Sequence, residues 1–212
     1  MAKNHKSPLA RGSIFVISAP SGAGKSTLVK RLMATSPGLR FSISYTTRAP
    51  RAHEKHGRDY FFVSRPVFER MARRGEFVEW ADVYGHLYGT AQKQLQAAQE
   101  AGQDLLLDID VQGHQQVRRR LPEAVSVFIL PPSFQELSRR LRDRHSDAPK
   151  EIERRLETAH GEIAHWAEYD YLVVNEHLKD ATQALRDIVR AARFRRSSQA
   201  GRVEKILGTF GG

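Results

Sequence analysis

The chain has 212 residues, of which 40% are hydrophobic and none is cysteine. This length suffices to bury a core in one domain with smaller inserted lobes, and the lack of cysteine excludes disulfides and thiolate metal sites. No apolar run approaches the ~18 residues of a membrane span, and the N-terminal segment lacks the apolar stretch of a signal peptide. We therefore expect a cytoplasmic protein without a membrane partner. The net charge of +10 suits either nucleic acid or substrate phosphates, so it does not separate these classes.

Apolar segments that read as buried strands alternate with helical patterns along most of the chain. The strand segments are 14–18, 105–111, 125–130 and 171–175, and helices are predicted at 25–34, 114–120 and 180–195. Continuous apolar strands separated by helices are typical of an α/β fold, in which helices cover both faces of a parallel sheet.

A loop of small residues joins the first predicted strand to the first predicted helix. It consists of Ser18, Ala19, Pro20, Ser21, Gly22, Ala23, Gly24, Lys25, Ser26 and Thr27. Such a loop aims backbone N–H groups at phosphate oxygens, while its lysine supplies charge for the terminal phosphates and its serine a hydroxyl for a magnesium ion. Ala19 stands where the usual G-x-x-x-x-G-K-[ST] pattern has its first glycine. We interpret the segment as a phosphate-binding loop, with an ordinary strand–turn–helix junction as the alternative.

Two carboxylates, Asp108 and Asp110, end the second predicted strand. Strand periodicity predicts that both side chains point to the same face. Ligands of open parallel sheets bind beyond the carboxyl ends of the strands, where the phosphate-binding loop is also expected. The pair could therefore organise the waters of a magnesium ion and contact a substrate. A solvated strand end is the alternative.

Two segments interrupt the alternation of strands and helices. Residues 41–90 predict a mixed α/β insertion, with strand patterns at 41–45, 60–63 and 77–80 and a helical pattern at 66–73. Residues 133–167 predict two helices joined by a charged link, and Ser133 with Glu136 forms a capping-box pattern. A helical pair with such a link is a candidate mobile lid. The tail after 197 is predicted to be frayed, with Val203, Ile206 and Leu207 able to dock.

Two features of the insertion are candidate ligand-binding residues. Arg48 and Arg51 lie three residues apart in a loop, and arginine forks grip phosphate oxygens in pairs. A basic surface loop is an equal alternative for this pair taken alone. Glu79 is an acid among the apolar and aromatic residues of 77–81. An edge residue that faces water is the more ordinary reading of such an acid.

Taken together, the motifs resemble the guanylate kinase family over about residues 12–196, in order and without large gaps. The segments that carry the resemblance are 18–26, 44–51, 57–62, 77–81, 88–90, 107–113, 128–133, the lid arginines and 169–175. The resemblance implies the fold of a P-loop nucleoside monophosphate kinase, with a central parallel sheet, an inserted GMP-binding lobe and a helical lid. The implied boundaries are 8–43, 91–132 and 168–197 for the core, 44–90 for the lobe, 133–167 for the lid, and 1–7 and 198–212 for flexible tails.

The same resemblance implies phosphoryl transfer from ATP to GMP with Mg²⁺, and it implies roles residue by residue. ATP would contact residues 18–27 and Asn175, and GMP would contact Ser44, Arg48, Arg51, Tyr60, Glu79, Tyr88, Thr90 and Asp108. Lys25, Arg48, Arg140, Arg144 and Arg155 would be catalytic, and Ser26 would bind Mg²⁺, with Asp108 and Asp110 acting through water. Family members usually have glycine after the arginine matched by Arg144, whereas this chain has His145, which puts the geometry of the lid loop in question.

The implied role of Glu79 agrees with the chemistry of guanine. Guanine offers two adjacent donors, N1–H and the 2-amino group, and an ionised carboxylate accepts both. Adenine lacks that pair, so it would leave a buried carboxylate unpaired. GMP and dGMP are the expected partners, nucleic acid is not expected, and a homo-oligomer is left open.

Three other functions remain as alternatives at this stage. A relative that has lost catalysis and binds proteins is disfavoured by the intact Lys25 and Ser26 and by the lid arginines. A related kinase for a sugar phosphate is disfavoured by Glu79 and Thr90. The basic stretch that contains Arg186, Arg190, Arg193, Arg195 and Arg196 could instead bind nucleic acid.

Overall fold

The computed structural model of the chain describes residues 12–143 and 149–210. Its strands are β1 (Ile14–Ser18), β2 (Leu39–Phe41), β3 (Tyr45–Thr46), β4 (Phe61–Phe62), β5 (Phe77–Val83), β6 (His86–Ala91), β7 (Asp104–Asp108), β8 (Val125–Leu130) and β9 (Tyr171–Val174). Its helices are α1 (Lys25–Thr35), α2 (Arg65–Arg73), α3 (Gln92–Glu100), α4 (Val111–Arg120), α5 (Phe134–Arg142), α6 (Pro149–Ile163), α7 (Leu178–Ala192) and α8 (Arg196–Gly208). Among these described helices, none is both long and apolar enough to cross a bilayer.

A parallel sheet forms the centre of the described structure, with strand order β2-β7-β1-β8-β9. The register of β1 and β7 pairs Ile17 with Asp108, so the carboxyl ends of these strands lie side by side. The loop after β1 and the turn after β7 therefore meet at the same edge of the sheet. This is the edge at which open parallel sheets bind ligands.

The two faces of β1 contribute to separate hydrophobic clusters. Phe15 and Ile17 pack with residues of α1 and α7 on one face, whereas Ile14 and Val16 pack with residues of α3 and α4 on the other. The alternation follows from the two-residue period of a strand, and it explains why a strand buried on both faces is a continuous apolar run. The predicted α/β fold with helices on both faces of a parallel sheet is confirmed.

A second sheet with order β4-β3-β6-β5 builds the inserted lobe, in which β5 and β6 form an antiparallel hairpin. Helix α2 covers one face, where the rings of Phe68 and Phe77 stack 4.5 Å apart. Helix α4 of the core holds the edge of β5. Gln116 bonds both the N–H and the carbonyl of Trp80, and Arg120 donates to the carbonyls of Phe77 and Val78. Side chains of α4 thus occupy backbone groups that an edge strand would otherwise expose.

Three elements differ from the sequence-based expectation. The strand predicted at 105–111 ends at Asp108, because the chain turns there into α4. Residues Leu39–Phe41 form β2 in the central sheet, whereas the pattern at 41–45 had placed a strand in the insertion. Helix α3 was not predicted, because it buries only Leu95 and Ala98 and so leaves a weak periodic signal.

The C-terminal segment also differs from its predicted form. Helix α8 occupies Arg196–Gly208, where the sequence suggested a frayed tail. Ser198 lies within hydrogen-bonding distance of Ser13, and Gln199 donates to the carbonyl of Arg193. Val203, Ile206 and Leu207 are exposed and do not dock on the described part of the protein. The tail predicted at 1–7 lies outside the described residues.

Asp104 offers a test of how the start of β7 is anchored. Its carboxylate accepts from the N–H of Ser13 at 2.8 Å and pairs with the guanidinium of Arg193 at 2.7 Å. Asp104→Asn should lower the free energy of unfolding by about 1–3 kcal/mol, because it weakens two bonds to a buried charged acceptor. Urea denaturation measures the loss. The control Glu123→Gln, at an exposed acid, should change stability by less than about 0.5 kcal/mol; an equal effect of both would contradict the anchoring role.

Candidate functional site

The loop between β1 and α1 depends on two glycines. Gly22 and Gly24 have φ of 92° and 93°, in the left-handed region that other residues rarely adopt. A Cβ at Gly24 would also lie 2.4 Å from Nδ2 of Asn175. Ala19, the departure from the usual pattern, is buried and is accommodated with its methyl group in the core.

Lys25 reaches from the first turn of α1 to the end of β7. Its ammonium group pairs with the carboxylate of Asp108 and donates to the carbonyl of Ile109 at 3.2 Å. The register that brings the ends of β1 and β7 together makes this contact possible. The lysine therefore lies between the loop and the second lobe.

Asp110 has a different local role from the one predicted. Its carboxylate caps α4 by accepting a hydrogen bond from the N–H of Gly113 at 2.8 Å. The strand ends at Asp108, so the periodicity on which the prediction relied does not extend to Asp110, but both carboxylates line the same cavity. Burial raises the pKa of Asp110, and the bond from Gly113 opposes the shift.

A further acid, Glu162 on α6, lies beside the phosphate-binding loop. Burial raises the pKa of Glu162, while a hydrogen bond from the N–H of Ser21 and the charge of Lys25 act in the opposite direction. Two desolvated carboxylates, Asp110 and Glu162, thus lie near a single lysine. Additional positive charge would stabilise their ionised forms.

One cavity of about 230 Å³ joins the loop to the inserted lobe. It brings together many of the side chains that the sequence proposed for substrate: Lys25, Ser26, Ser44, Tyr60, Glu79, Tyr88, Asp108 and Asp110. These residues come from both sheets and from the first turn of α1. Residues that the sequence motifs grouped together are therefore close together in space.

Glu79 is a buried acid on β5, with 3% of its surface exposed. It lies opposite Thr90 of β6 in the hairpin register. Burial raises the pKa of Glu79 to about 7, although the neighbouring Thr90 acts against the shift. Helix α4 packs directly on the carboxyl group, since a Cβ at Gly113 would lie 2.6 Å from its Oε2 atom. The site therefore holds an acceptor away from water.

A cluster of charged and aromatic residues borders this cavity. Arg48 donates to Glu54 at 2.8 Å and to the hydroxyl of Tyr88 at 3.2 Å, and its guanidinium lies 5.4 Å from the ring centroid of Tyr60. The same Glu54 accepts from the N–H of Arg51 at 2.8 Å. The hydrogen bond with Arg48 lowers the pKa of Glu54, and the same bond raises the pKa of Arg48. Glu54 therefore links the two arginines proposed for phosphate.

Sequence reasoning missed Glu54 and also Gln94. Gln94 on α3 accepts from the N–H of Ile43 at 2.8 Å and donates to the carbonyl of Ile43 at 2.7 Å. It thereby fixes the backbone just before Ser44. The acid among the arginines of 48–58 was a weak signal for Glu54. Gln94 gives no such signal, because it is one of four glutamines in α3 and nothing in the local sequence sets it apart.

Two of the arginines proposed for the lid, Arg140 and Arg155, lie on helices α5 and α6. Arg140 on α5 donates to the carbonyl of Asn175 at 3.0 Å and to Glu136 at 2.7 Å. Asn175 itself donates to the carbonyl of Ala23 at 2.8 Å, so both side chains lie against the phosphate-binding loop. Arg155 on α6 is half-buried and pairs with Glu151 at 3.3 Å. Arg144 and His145 lie outside the described residues.

A glycine-dependent loop at the end of a buried parallel strand, followed by a helix that begins with Lys25, defines a P-loop nucleotide-binding protein. The adjoining lobe adds a second cavity wall with a buried acceptor and paired arginines.

Comparison with known proteins identifies the family. The family model for guanylate kinase matches residues 11–192, and the chain belongs to the guanylate kinase family. It is 47% identical over 203 residues to the guanylate kinase of Thiobacillus denitrificans, covering 96% of this chain and 97% of that protein. It is 55% identical to the guanylate kinase of Koribacter versatilis, covering 88% and 82% respectively. The crystal structure of guanylate kinase from Anaplasma phagocytophilum superposes with a TM-score of 0.74 at 36% identity, covering 89% of each chain.

Because the pKa of Glu79 is raised, the free energy of unfolding of the ligand-free protein should depend on pH. A carboxyl group whose folded pKa is about 7, against an ordinary 4.5, stabilises the fold fully below pH 4.5 and loses this contribution as pH rises through 7. Glu79→Gln stays neutral, so its stability relative to the wild type should increase by about 1–3 kcal/mol between about pH 5 and about pH 8.

Urea unfolding without nucleotide at the two pH values measures this difference. Glu100→Gln, at an exposed acid on α3, serves as the control and should follow the wild type. A stability difference for Glu79→Gln that does not change with pH would contradict the raised pKa.

Proposed function

We propose that this chain catalyses phosphoryl transfer from ATP to GMP, giving ADP and GDP. The observation that carries the proposal is the single cavity in which the buried acceptor Glu79 faces the same space as Lys25 and Ser26 of the phosphate-binding loop. Membership of the guanylate kinase family supports the same reaction. The residue roles that follow are part of the proposal.

Glu79 is proposed to select guanine. The carboxylate accepts hydrogen bonds from N1–H and the 2-amino group at once, whereas adenine would leave it buried and unpaired. Thr90, opposite Glu79, and Ser44, at the cavity wall, are proposed to complete the surroundings of the base. Asp108 would contact the same ligand from the end of β7.

The phosphate of GMP is proposed to bind between Arg48, Arg51, Tyr60 and Tyr88. Arg48 and both tyrosines already form one cluster, with the guanidinium over the ring of Tyr60 and bonded to the hydroxyl of Tyr88. Glu54 holds Arg48 in this position before the ligand arrives. A dianionic phosphate offers more charge than one carboxylate, so it can compete for the same guanidinium. Since these contacts involve base and phosphate, dGMP is proposed as a second acceptor.

ATP is proposed to bind along residues 18–27. The loop supplies backbone N–H groups and Lys25, and the N-terminus of α1 adds its positive dipole end. Asn175 and Arg140 lie against this loop, and Arg155 is on the facing lid helix. Arg144 remains an expected member of the set. These cations would offset the repulsion between two polyanions.

Magnesium fits the donor set at the loop. Ser26 offers a hydroxyl, and Asp108 and Asp110 offer carboxylates in the same cavity, which are the hard oxygen donors that Mg²⁺ prefers. Within the described ranges, no three acidic or histidine side chains cluster to hold a metal alone, which agrees with an ion shared with phosphates and water. When bound, Mg²⁺ would neutralise charge on the phosphates of ATP.

The proposed mechanism needs no general base from the protein. The attacking oxygen belongs to the phosphate of GMP, whose second pKa is about 6, so it is largely anionic at neutral pH. Lys25 and the arginines align the two phosphates and stabilise charge on the group in transfer. The lid helices exclude water as a competing acceptor. Because ATP and GMP are cytoplasmic nucleotides, we propose that the reaction takes place in the cytoplasm.

Removal of the loop lysine tests the reaction directly. Lys25→Met should lower kcat by about 10²–10⁴-fold, because it removes a charge aimed at the transferring phosphate. A coupled assay of ADP release with GMP measures the loss, and circular dichroism checks the fold. Lys30→Met, at an exposed position of the same helix, is the matched control and should keep wild-type turnover. Wild-type turnover in Lys25→Met would reject the assignment of the loop.

Substitution of the buried acid tests the recognition of the base. Glu79→Gln should weaken GMP binding by about 10–100-fold and leave ATP binding nearly unchanged, because the amide replaces one of the two acceptor oxygens with an NH2 donor that faces a donor of guanine. Comparing GMP with IMP, which lacks the 2-amino group, sharpens the test. The preference for GMP over IMP should shrink in Glu79→Gln. Equal losses for ATP and GMP, measured by titration calorimetry, would rule out the proposed role.

A further inference from the structure

Helix α6 presents one face to the phosphate-binding loop and to the tip of the β5–β6 hairpin. Arg154, Thr158 and Glu162 recur at four-residue intervals and therefore share that face. Thr158 and Glu162 line a cavity of about 330 Å³ together with the phosphate-binding loop. Asp82, Val83 and Tyr84, from the tip of the β5–β6 hairpin, line the same cavity. Helix α6 and the hairpin of the inserted lobe thus both border the phosphate-binding loop.

The hairpin tip links the two cavities. Val83 lines both the cavity that contains Glu79 and the cavity at the phosphate-binding loop. Tyr84 follows directly in sequence. A contact that holds Tyr84 in place therefore bears on the walls of both cavities at once.

Tyr84 has an unusual backbone conformation. Its φ is 54°, and among the described residues it is the only one other than glycine with a positive φ. The turn is held by a hydrogen bond from the N–H of Gly85 to Asp82 at 2.7 Å and by one from Arg65 to the carbonyl of Gly85 at 2.9 Å. An aromatic residue at a left-handed position is strained and persists where its surroundings hold it.

The ring of Tyr84 is held by a cation from the lid. The guanidinium of Arg154 lies 4.5 Å from the ring centroid, within the range of a cation–π contact. Arg154 is in turn oriented by Glu151, which accepts its hydrogen bond at 2.8 Å. Both side chains are exposed, so the contact is made at the rim of the phosphate cavity.

We propose that Tyr84 and Arg154 are positioning residues that couple acceptor binding in the inserted lobe to donor binding under the lid. The stacked pair joins the hairpin next to the GMP cavity to the helix that carries Thr158 and Glu162 over the loop. A ligand that orders the hairpin thereby favours the lid position that covers the donor. This inference rests on the proposed reaction. It adds a contact through which the binding of one substrate affects the binding of the other.

The coupling is measured as the ratio of the ADP dissociation constants without and with saturating GMP, obtained by titration calorimetry on the full chain. The wild type should bind ADP more tightly when GMP is present. Tyr84→Leu and Arg154→Gln should each reduce this ratio by roughly 2- to 5-fold, the fold-change that corresponds to an exposed cation–π contact. Affinity for GMP alone should change less than the ratio.

Conservative and double variants separate a coupling role from a merely structural one. Tyr84→Phe keeps the ring and should keep the wild-type ratio, and Arg154→Lys should retain part of it. The double variant should lose no more than either single variant, because both remove the same contact. Arg142→Gln, at an exposed position of α5, is the control and should bind both nucleotides as the wild type does.

The outcomes distinguish the two proposals. A wild-type chain that binds and phosphorylates GMP, with a ratio that Tyr84→Leu and Arg154→Gln leave unchanged, would overturn the coupling alone. The coupling would also be overturned if the effects of the two single variants added up in the double variant. It would be overturned as well if Tyr84→Phe reduced the ratio as much as Tyr84→Leu does. A wild-type chain that neither binds nor phosphorylates GMP would overturn the proposed function and the coupling with it.

Discussion

The meeting of β1 and β7 at one edge of the sheet is the constraint on which the rest of the site depends. The register that pairs Ile17 with Asp108 brings the phosphate-binding loop against the strand end that borders the inserted lobe. Lys25 spans this junction through its pair with Asp108. Two cavities therefore share this lysine, which lies where a donor and an acceptor phosphate would have to meet.

Three of the arginines proposed to bind phosphate are paired with a glutamate in the described part of the chain. Arg48 pairs with Glu54, Arg140 with Glu136, and Arg155 with Glu151. Each carboxylate holds a long, mobile side chain near its working position, which reduces the entropy lost when a ligand binds. A phosphate can displace or share these carboxylates because it carries more negative charge. Glu79 is the contrasting case, because burial raises the pKa of its carboxyl group and the charge of Arg120 opposes this shift only in part. In the proposed function, this locally unfavourable acid is the group that recognises a base with two donors.

Much of the site could be predicted because its signals are local in the chain. The prediction of a phosphate-binding loop depends on glycine spacing and on the lysine that begins a helix, and Gly22 and Gly24 have the positive φ angles that such a loop requires. The roles suggested for Glu79 and for the residues around it came from the resemblance to a family, and the cavity then brought most of them together. Glu54 and Gln94 could not be found in this way, because their importance lies in which backbone and side chains they meet.

The α/β alternation, the loop after β1 and the family could be predicted from the sequence, since apolar periodicity and short motifs depend on neighbouring residues. That Asp110 caps α4 and that α4 holds the edge of β5 became evident only from the packed structure. The same is true of the contact between Arg154 of α6 and the ring of Tyr84. These contacts join residues that are distant in sequence. Their partners depend on how the sheets and helices pack, so a local sequence pattern does not predict them.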